Sequence, residues 1–182
     1  MDIYFCPAFC FFCFHYGSVL TPFSHVQFIF PILQNEHYYV ISFDMVRKRI
    51  DIIDNISVTM TNVAKYGSVP EVLRDFVSVF LDDMVDERYG FAVRRITPRR
   101  MQMHWRDVNN KVDCGVFAMR HMETFLGQSV KSWDCGLRKG DRKGLESLRV
   151  SYMRQILAAE LNVHHSNNIR CAVDFRDAVG QN

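Results

Sequence analysis

The chain has 182 residues, of which 48% are hydrophobic and 23% charged, and its formal net charge is +2. These values are typical of one globular domain that is large enough to bury a core. A charge so close to zero provides no general attraction to nucleic acid or to an anionic membrane surface. The short basic runs at 47–49 and 94–100 are therefore interpreted as solvated loop faces, and a nucleic-acid-binding module ranks last among the possible functions.

Six cysteines are scattered without the regular spacing of a disulfide framework, which favours a reducing compartment, the cytosol or the nucleus. The apolar stretch 3–14 lacks the basic start of a signal peptide and is too short to span a bilayer. Cys10, Cys13 and His15 have a spacing typical of metal ligands, but no second Cys pair answers them. We therefore predict no metal site, and interpret residues 1–25 as a buried strand or a misassigned start of the gene.

Three stretches have the β-branched and aromatic composition of strands: 26–30, 37–43 and 50–54. The second and third are separated by a polar segment, which predicts an antiparallel hairpin that turns near residues 46–48. A further strand is predicted at 91–96, where Thr97 and Pro98 follow.

Three helices are predicted from apolar spacing: 70–88, 115–126 directly after Cys114 with Gly127 as the C-cap, and 144–162. The first is predicted to bury one face, formed by Val72, Leu73, Phe76, Val79, Phe80 and Met84. The last twenty residues are polar and are expected to be loosely ordered. Strands and helices are thus mixed, which predicts an α+β domain with a short antiparallel sheet.

Cys114 stands in the sequence Asp113-Cys114-Gly115, where a loop changes into an apolar helix. Unpaired N–H groups and the macrodipole at a helix N-terminus stabilise an anion, and a thiolate is the nucleophilic form of cysteine. Gly115 allows a substrate backbone to approach closely. A buried structural cysteine at a helix start is the alternative.

His37 begins one strand of the predicted hairpin and Asp54 ends the other, so the ladder brings the two residues close together. A cysteine peptidase needs such a pair, because an imidazole takes the thiol proton and a carboxylate orients the imidazole. A surface histidine near a solvated aspartate is the alternative.

The order His37, Asp54, Cys114, with Asp-Cys-Gly opening a helix, resembles the ubiquitin-like-protein-specific (SUMO) protease family of papain-like cysteine peptidases. The resemblance spans about residues 26–162. The stretches 37–44, 52–55 and 113–127 look like its plant branch, many members of which are transposon-associated.

This resemblance implies that Cys114 is the nucleophile, His37 the general base and Asp54 its orienter. The expected reaction is cleavage after the Gly-Gly tail of a ubiquitin-like protein through an acyl-thioester, with no cofactor. The catalytic domain would span 26–165 and a polar tail 166–182. The resemblance and the thiols also imply a monomer in the nucleus or cytosol.

Two departures from the family pattern bear on activity. Val108 stands where the family has a glutamine that points an amide at the oxyanion, and the remaining candidates for that donor are Asn109 and Asn110. The family also has a tryptophan-containing segment well upstream of the histidine, which residues 1–25 do not resemble. These departures favour a second hypothesis, an inactive protease fold that only binds a partner.

Three other residues near the motifs could take part in a site or in the core. Trp105 is interpreted as a core residue that also qualifies as a candidate for lining the substrate groove, because it precedes the nucleophile loop. His121 is expected to be a core or surface histidine rather than a base. Cys135 repeats the letters Asp-Cys-Gly without a long apolar helix after it, and is interpreted as structural.

Overall fold

The structure of the protein is a computed structural model that describes residues 2–5, 12–15 and 26–179. The chain divides into two compact units, Met1–Gly140 and Asp141–Asn182, which are described separately. The predictions for residues 6–11 and 16–25 lie outside the described residues. So do the side chains of Cys10, Cys13 and His15, on which the choice between a core strand and a metal site depended.

The first unit is a mixed α+β fold built on one sheet, which confirms the predicted fold class at that level. Its strands are β1 Asp2–Phe5, β2 Phe12–His15, β3 Val26–Gln34, β4 His37–Asp44, β5 Arg49–Ile53 and β6 Arg99–Arg100. They lie in sequence order, antiparallel except for the parallel pair β5 and β6. Its helices are α1 Asn62–Tyr66, α2 Val69–Met84, α3 Glu87–Arg94 and α4 Cys114–Thr124.

The predicted hairpin is present as β4 and β5. Val40 pairs with Ile53 at one end of the ladder and Asp44 pairs with Arg49 at the other. The turn between them contains Lys48 at φ 51°, in the left-handed region. The hairpin register therefore brings the start of β4 and the end of β5 together at the open end of the hairpin.

One cluster of the core lies on the face of the sheet that carries the odd-numbered residues of β4, although Val40 and Ile53 on the other face are buried too. Tyr39, Ile41 and Phe43 pack with helix residues that include Tyr66 of α1, Val77 and Leu81 of α2, and Val93 of α3. Helix α4 also packs against β4. The sheet is thus the common support for the helices and for the His37 strand.

The predicted helix at 70–88 is α2, but its buried face differs from the expected one. Val77 and Leu81 are buried, whereas Val72, Phe76, Val79 and Met84 are exposed. The helix has apolar residues on more than one side, and packing against the sheet selects the Val77 stripe. The expected apolar face was therefore wrong for most of its members.

The predicted strand at 91–96 is wrong, because residues 91–94 lie in α3, which spans Glu87–Arg94, and Arg95 is its C-cap. The side chain of Asp86 caps the helix by accepting a hydrogen bond of 2.9 Å from the Arg88 N–H. Gly90 packs directly on the Ser78 backbone of α2, where a Cβ has no space. The cap and this close approach override the β-branched composition.

The predicted C-terminal end of the helix that follows Cys114 is corrected. Helix α4 ends at Thr124 with Phe125 as its C-cap, so Gly127 is not the cap. Gly127 has φ +78° and lies against the Asp44 carboxylate, and its carbonyl accepts a hydrogen bond of 2.7 Å from Arg49. The glycine is needed for this left-handed turn rather than for the helix end.

The second unit consists of helices α5 Arg142–Ala158 and α6 His165–Val179. Helix α5 begins before the predicted bound, because Asp141 caps it through a 2.9 Å hydrogen bond from Gly144 N–H. It also ends earlier than predicted, with Ala159 as its C-cap in an extended conformation. Helix α6 occupies the part of the chain that was expected to be loosely ordered, so that prediction was wrong.

Candidate active site

His37 and Asp54 form a direct hydrogen bond at the open end of the β4–β5 hairpin. His37 is the first residue of β4, and Asp54 directly follows β5. The His37 Nε2 to Asp54 Oδ1 distance is 2.8 Å, and the side chains are 18% and 0% exposed. The structure therefore brings together the two residues that the sequence paired.

Four groups surround the buried Asp54 carboxylate. Oδ1 accepts hydrogen bonds from His37 and from the Ile56 N–H at 2.9 Å. Oδ2 accepts one from the Tyr66 hydroxyl at 2.8 Å and forms an ion pair with Lys65 Nζ at 2.6 Å. Burial by itself raises the pKa of Asp54, but the contacts with His37, Lys65 and the Ile56 N–H outweigh it and lower the pKa to about 2. Asp54 is therefore an anion at neutral pH.

The tautomer of His37 follows from this contact. Because the ionised carboxylate accepts a hydrogen bond from Nε2, the neutral ring carries its proton there. Nδ1 is then the nitrogen with a free lone pair, and it is the atom that can take a proton from a nucleophile.

Cys114 begins α4 and is buried, with 7% of its surface exposed. The loop before it is held by Asn110, whose Oδ1 accepts from the Asp113 N–H at 3.0 Å and whose Nδ2 donates to Asp113 Oδ2 at 2.9 Å. The Asp113 carbonyl accepts from Phe117 N–H at 2.9 Å and starts the helix. Asn110 therefore positions the residue before Cys114.

The first turn of α4 lies beside the His37 strand. A Cβ added to Gly115 would be 3.7 Å from Tyr38 Cδ2, so the residue after Cys114 packs next to the residue after His37. Within the described part of the chain, no hydrogen bond joins Cys114 Sγ to His37. Catalytic hydrogen bonds are often long in unliganded sites and tighten on substrate binding.

A cavity of about 320 Å³ adjoins the His–Asp pair and makes His37 accessible. His37, Tyr39 and Lys65 line it together with apolar side chains that include Ile56 and Val58. The Tyr39 hydroxyl donates a hydrogen bond to Gln34 at 2.8 Å, and Gln34 donates one to the Tyr66 carbonyl at 3.2 Å. These bonds connect three of the residues that line the cavity.

Residues 108–110, which include both candidate oxyanion donors, differ in exposure and in hydrogen bonding. Val108 is 47% exposed and Asn109 is exposed, with its N–H bonded to Asp107 at 3.0 Å. The Asn110 amide is engaged with Asp113 through both its oxygen and its nitrogen. Asn110 therefore stabilises the loop before Cys114 through its two hydrogen bonds to Asp113.

Trp105 does not line a groove, since it is 0% exposed. Its Nε1 donates to His121 Nε2 at 3.1 Å, and its ring packs edge-on against Trp133 at 4.9 Å. The groove assignment for Trp105 is thus corrected, and the core interpretation is confirmed.

His121 and Cys135 are both core residues, as expected. His121 is 1% exposed and contacts the rings of Trp105, Phe117 and Trp133. Burial lowers the pKa of His121 to about 3, only partly opposed by the charge of Asp54. Cys135 is fully buried, and burial raises the pKa of its thiol.

The buried His121 predicts a loss of stability in mild acid. The unfolded chain binds a proton at this side chain near pH 6.5, whereas the folded chain does so only near pH 3. Unfolding therefore takes up a proton in this window, and the free energy of unfolding falls by up to about 1.4 kcal/mol per pH unit as the pH is lowered.

Urea unfolding measured at several pH values between about 4.5 and 7 checks this expectation. His121→Gln keeps an acceptor for the Trp105 N–H but does not titrate, so its dependence on pH should be shallower. Asp54 adds to the pH dependence of stability only below about pH 4, because its pKa falls from an ordinary value near 4 in the unfolded chain to about 2 in the folded protein. If the free energy of unfolding falls equally steeply with pH in both proteins, protonation of His121 is not the cause of the acid destabilisation.

Lys65 and Tyr66 were missed by the sequence analysis, although both contact Asp54. They are consecutive residues at the end of the short helix α1, and no periodic pattern distinguishes them. The only signal was their position, in the first polar helix after the aspartate.

Comparison with known proteins yields no relative, since no protein-family model, curated protein or solved structure matches the chain. In the described ranges, no helix has both the length and the apolar character needed to cross a membrane. The site itself therefore carries the functional conclusion.

Proposed function

We propose that the chain is a papain-like cysteine peptidase domain that cleaves after the C-terminal Gly-Gly of a ubiquitin-like protein such as SUMO. The observation that carries the proposal is the 2.8 Å hydrogen bond from His37 to the buried Asp54 carboxylate, next to a helix that begins at Cys114. An imidazole that is hydrogen-bonded to a carboxylate, on a strand beside a helix that begins at a cysteine, is the arrangement that thiol peptidases use.

The proposed reaction begins with transfer of the Cys114 proton to His37 Nδ1. The thiolate attacks the carbonyl carbon of the terminal glycine, and the oxyanion is stabilised by the backbone N–H of Cys114. His37 then protonates the leaving amine, which breaks the amide bond and leaves a thioester. A water molecule, deprotonated by His37, attacks the thioester, releases the carboxylate and restores the thiol.

The proposal requires a free thiol and therefore a reducing compartment, the nucleus or the cytosol. Cys114, Cys135 and Cys171 are all free cysteines. The proposed reaction uses no cofactor, because the thiol, the imidazole and the carboxylate are side chains of the protein itself.

A second candidate function is a catalytically inactive module that only binds a ubiquitin-like protein. Val108 favours it, because a valine donates no hydrogen bond to an oxyanion, and one such donor accounts for about 10²–10³ in turnover.

Labelling with ubiquitin-like proteins that carry a thiol-reactive C-terminal group separates the two candidates. We expect a covalent adduct that disappears in Cys114→Ser and persists in Cys135→Ser, a matched control because Cys135 is a buried thiol in a second Asp-Cys-Gly sequence. The readout is the intact mass of the protein.

Folded protein that forms no adduct with SUMO, ubiquitin or related probes overturns the peptidase proposal for the natural sequence. Val108→Gln then identifies the cause. A gain of labelling in that variant attributes the loss to the missing donor, whereas continued absence supports the binding module.

A further inference from the structure

Lys65 contacts the carboxylate that orients the proposed base. It belongs to α1, whose first turn is capped by Thr61 Oγ1 accepting a hydrogen bond of 3.2 Å from Ala64 N–H. Its Nζ lies 2.6 Å from Asp54 Oδ2, and its side chain is only 13% exposed. A largely buried ion pair interacts more strongly than a surface pair, because water screens it less.

The pair has a direct consequence for His37, which contacts the other oxygen of the same carboxylate. An isolated carboxylate favours the charged form of a neighbouring imidazole. A cation on the opposite side of the carboxylate opposes that effect, because it offsets the charge that the imidazole experiences. The carboxylate then still orients the ring through its hydrogen bond.

The other titratable groups around Asp54 do not replace Lys65. Burial, assisted by the Asp54 charge, raises the pKa of Tyr39 and Tyr66, so both are neutral near pH 7. His121 is neutral because it is buried. The cations Arg100 and Arg106 interact with Tyr66 and Asp54. Among the described residues, however, Lys65 is the cation within ion-pair distance of the Asp54 carboxylate.

We propose that Lys65 is a positioning residue of the site, which offsets the charge of Asp54 and so limits how strongly that carboxylate stabilises the protonated form of the His37 ring, while the hydrogen bond still orients the ring. The inference concerns the mechanism of the proposed peptidase and rests on that function for its role in turnover. Its effect on His37 is a property of the folded protein and is measured without substrate.

The test is a proton NMR titration of the His37 ring in the full chain, with the signal assigned by its loss in His37→Gln. In Lys65→Met, the midpoint of the His37 titration is expected to move to higher pH by at least about half a unit. Lys65→Gln should behave in the same way, since it loses the charge but retains a hydrogen-bond donor. Lys65→Arg should restore the midpoint of the natural protein.

Tyr66→Phe is the matched control, because it removes a neutral donor from the same Oδ2 atom and leaves the ring packing in place. It should lower stability but move the midpoint clearly less than Lys65→Met. An unchanged midpoint in both Lys65→Met and Lys65→Gln overturns the proposal, as does an equal shift in Tyr66→Phe. If Lys65→Met does not fold, Lys65→Gln provides the measurement.

Labelling by the thiol-reactive ubiquitin-like probe as a function of pH adds the link to function. A change in its pH profile in Lys65→Gln, with recovery in Lys65→Arg, supports a role in the reaction. A natural protein that forms no adduct refutes the peptidase function, and the NMR titration still decides whether Lys65 controls the charge of His37.

Discussion

Replacing Asp54 by asparagine is expected to lower turnover of a ubiquitin-like substrate by about 10³–10⁴-fold. The substitution removes the anion that fixes the proton on His37 Nε2 and that stabilises the imidazolium formed during the reaction. It also removes the partner of Lys65. The measurement is kcat with a fluorogenic SUMO or ubiquitin derivative, beside a thermal unfolding curve for each protein.

Asp51→Asn is the matched control for this experiment. Asp51 is also a fully buried carboxylate on β5, and it pairs with Arg99 at 2.6 Å and Arg49 at 3.4 Å rather than with a histidine. We expect it to lower stability while activity per folded molecule changes little. Equal losses of activity in the two variants mean that Asp54 supports the fold and has no part in orienting His37.

Replacing Trp105 by alanine is expected to lower the free energy of unfolding by about 3–5 kcal/mol. The indole has no exposed surface, and it packs between His121 and Trp133 while its N–H is bonded to His121. Truncation leaves a cavity and an unpaired acceptor on a buried ring. Urea unfolding followed by circular dichroism measures the change.

Trp105→Phe separates packing from hydrogen bonding at this position. It retains an aromatic ring but loses the 3.1 Å bond to His121, so its stability should lie between that of the natural protein and Trp105→Ala. A variant Trp105→Ala that remains within about 1 kcal/mol of the natural stability, yet loses reaction with the ubiquitin-like probe, restores the groove interpretation.

The elements with a strong local signal were predictable from the sequence. The β-branched run from His37 and the returning run that ends before Asp54 fold as the hairpin, because alternation and the polar turn agree with each other. Cys114 begins a helix as predicted, since a loop rich in polar residues changes there into an apolar run.

The stretches where composition and packing disagree were not predictable. The β-branched residues at 91–96 favour a strand, but the Asp86 cap and the contact of Gly90 with α2 produce a helix. The prediction of which face of α2 is buried was wrong for a related reason. Several sides of that helix are apolar, and only docking on the sheet selects one of them.

The sequence by itself determined the α+β class, the hairpin that pairs His37 with Asp54, and the helix that begins at Cys114. These depend on short-range periodicity and on the regular register of neighbouring strands. Only the tertiary structure placed Lys65 and Tyr66 on the Asp54 carboxylate, engaged Asn110 with Asp113, and buried Trp105 against His121. Most of these contacts join residues that are distant along the chain, and they form because a buried charge or polar group must find a partner once water is excluded.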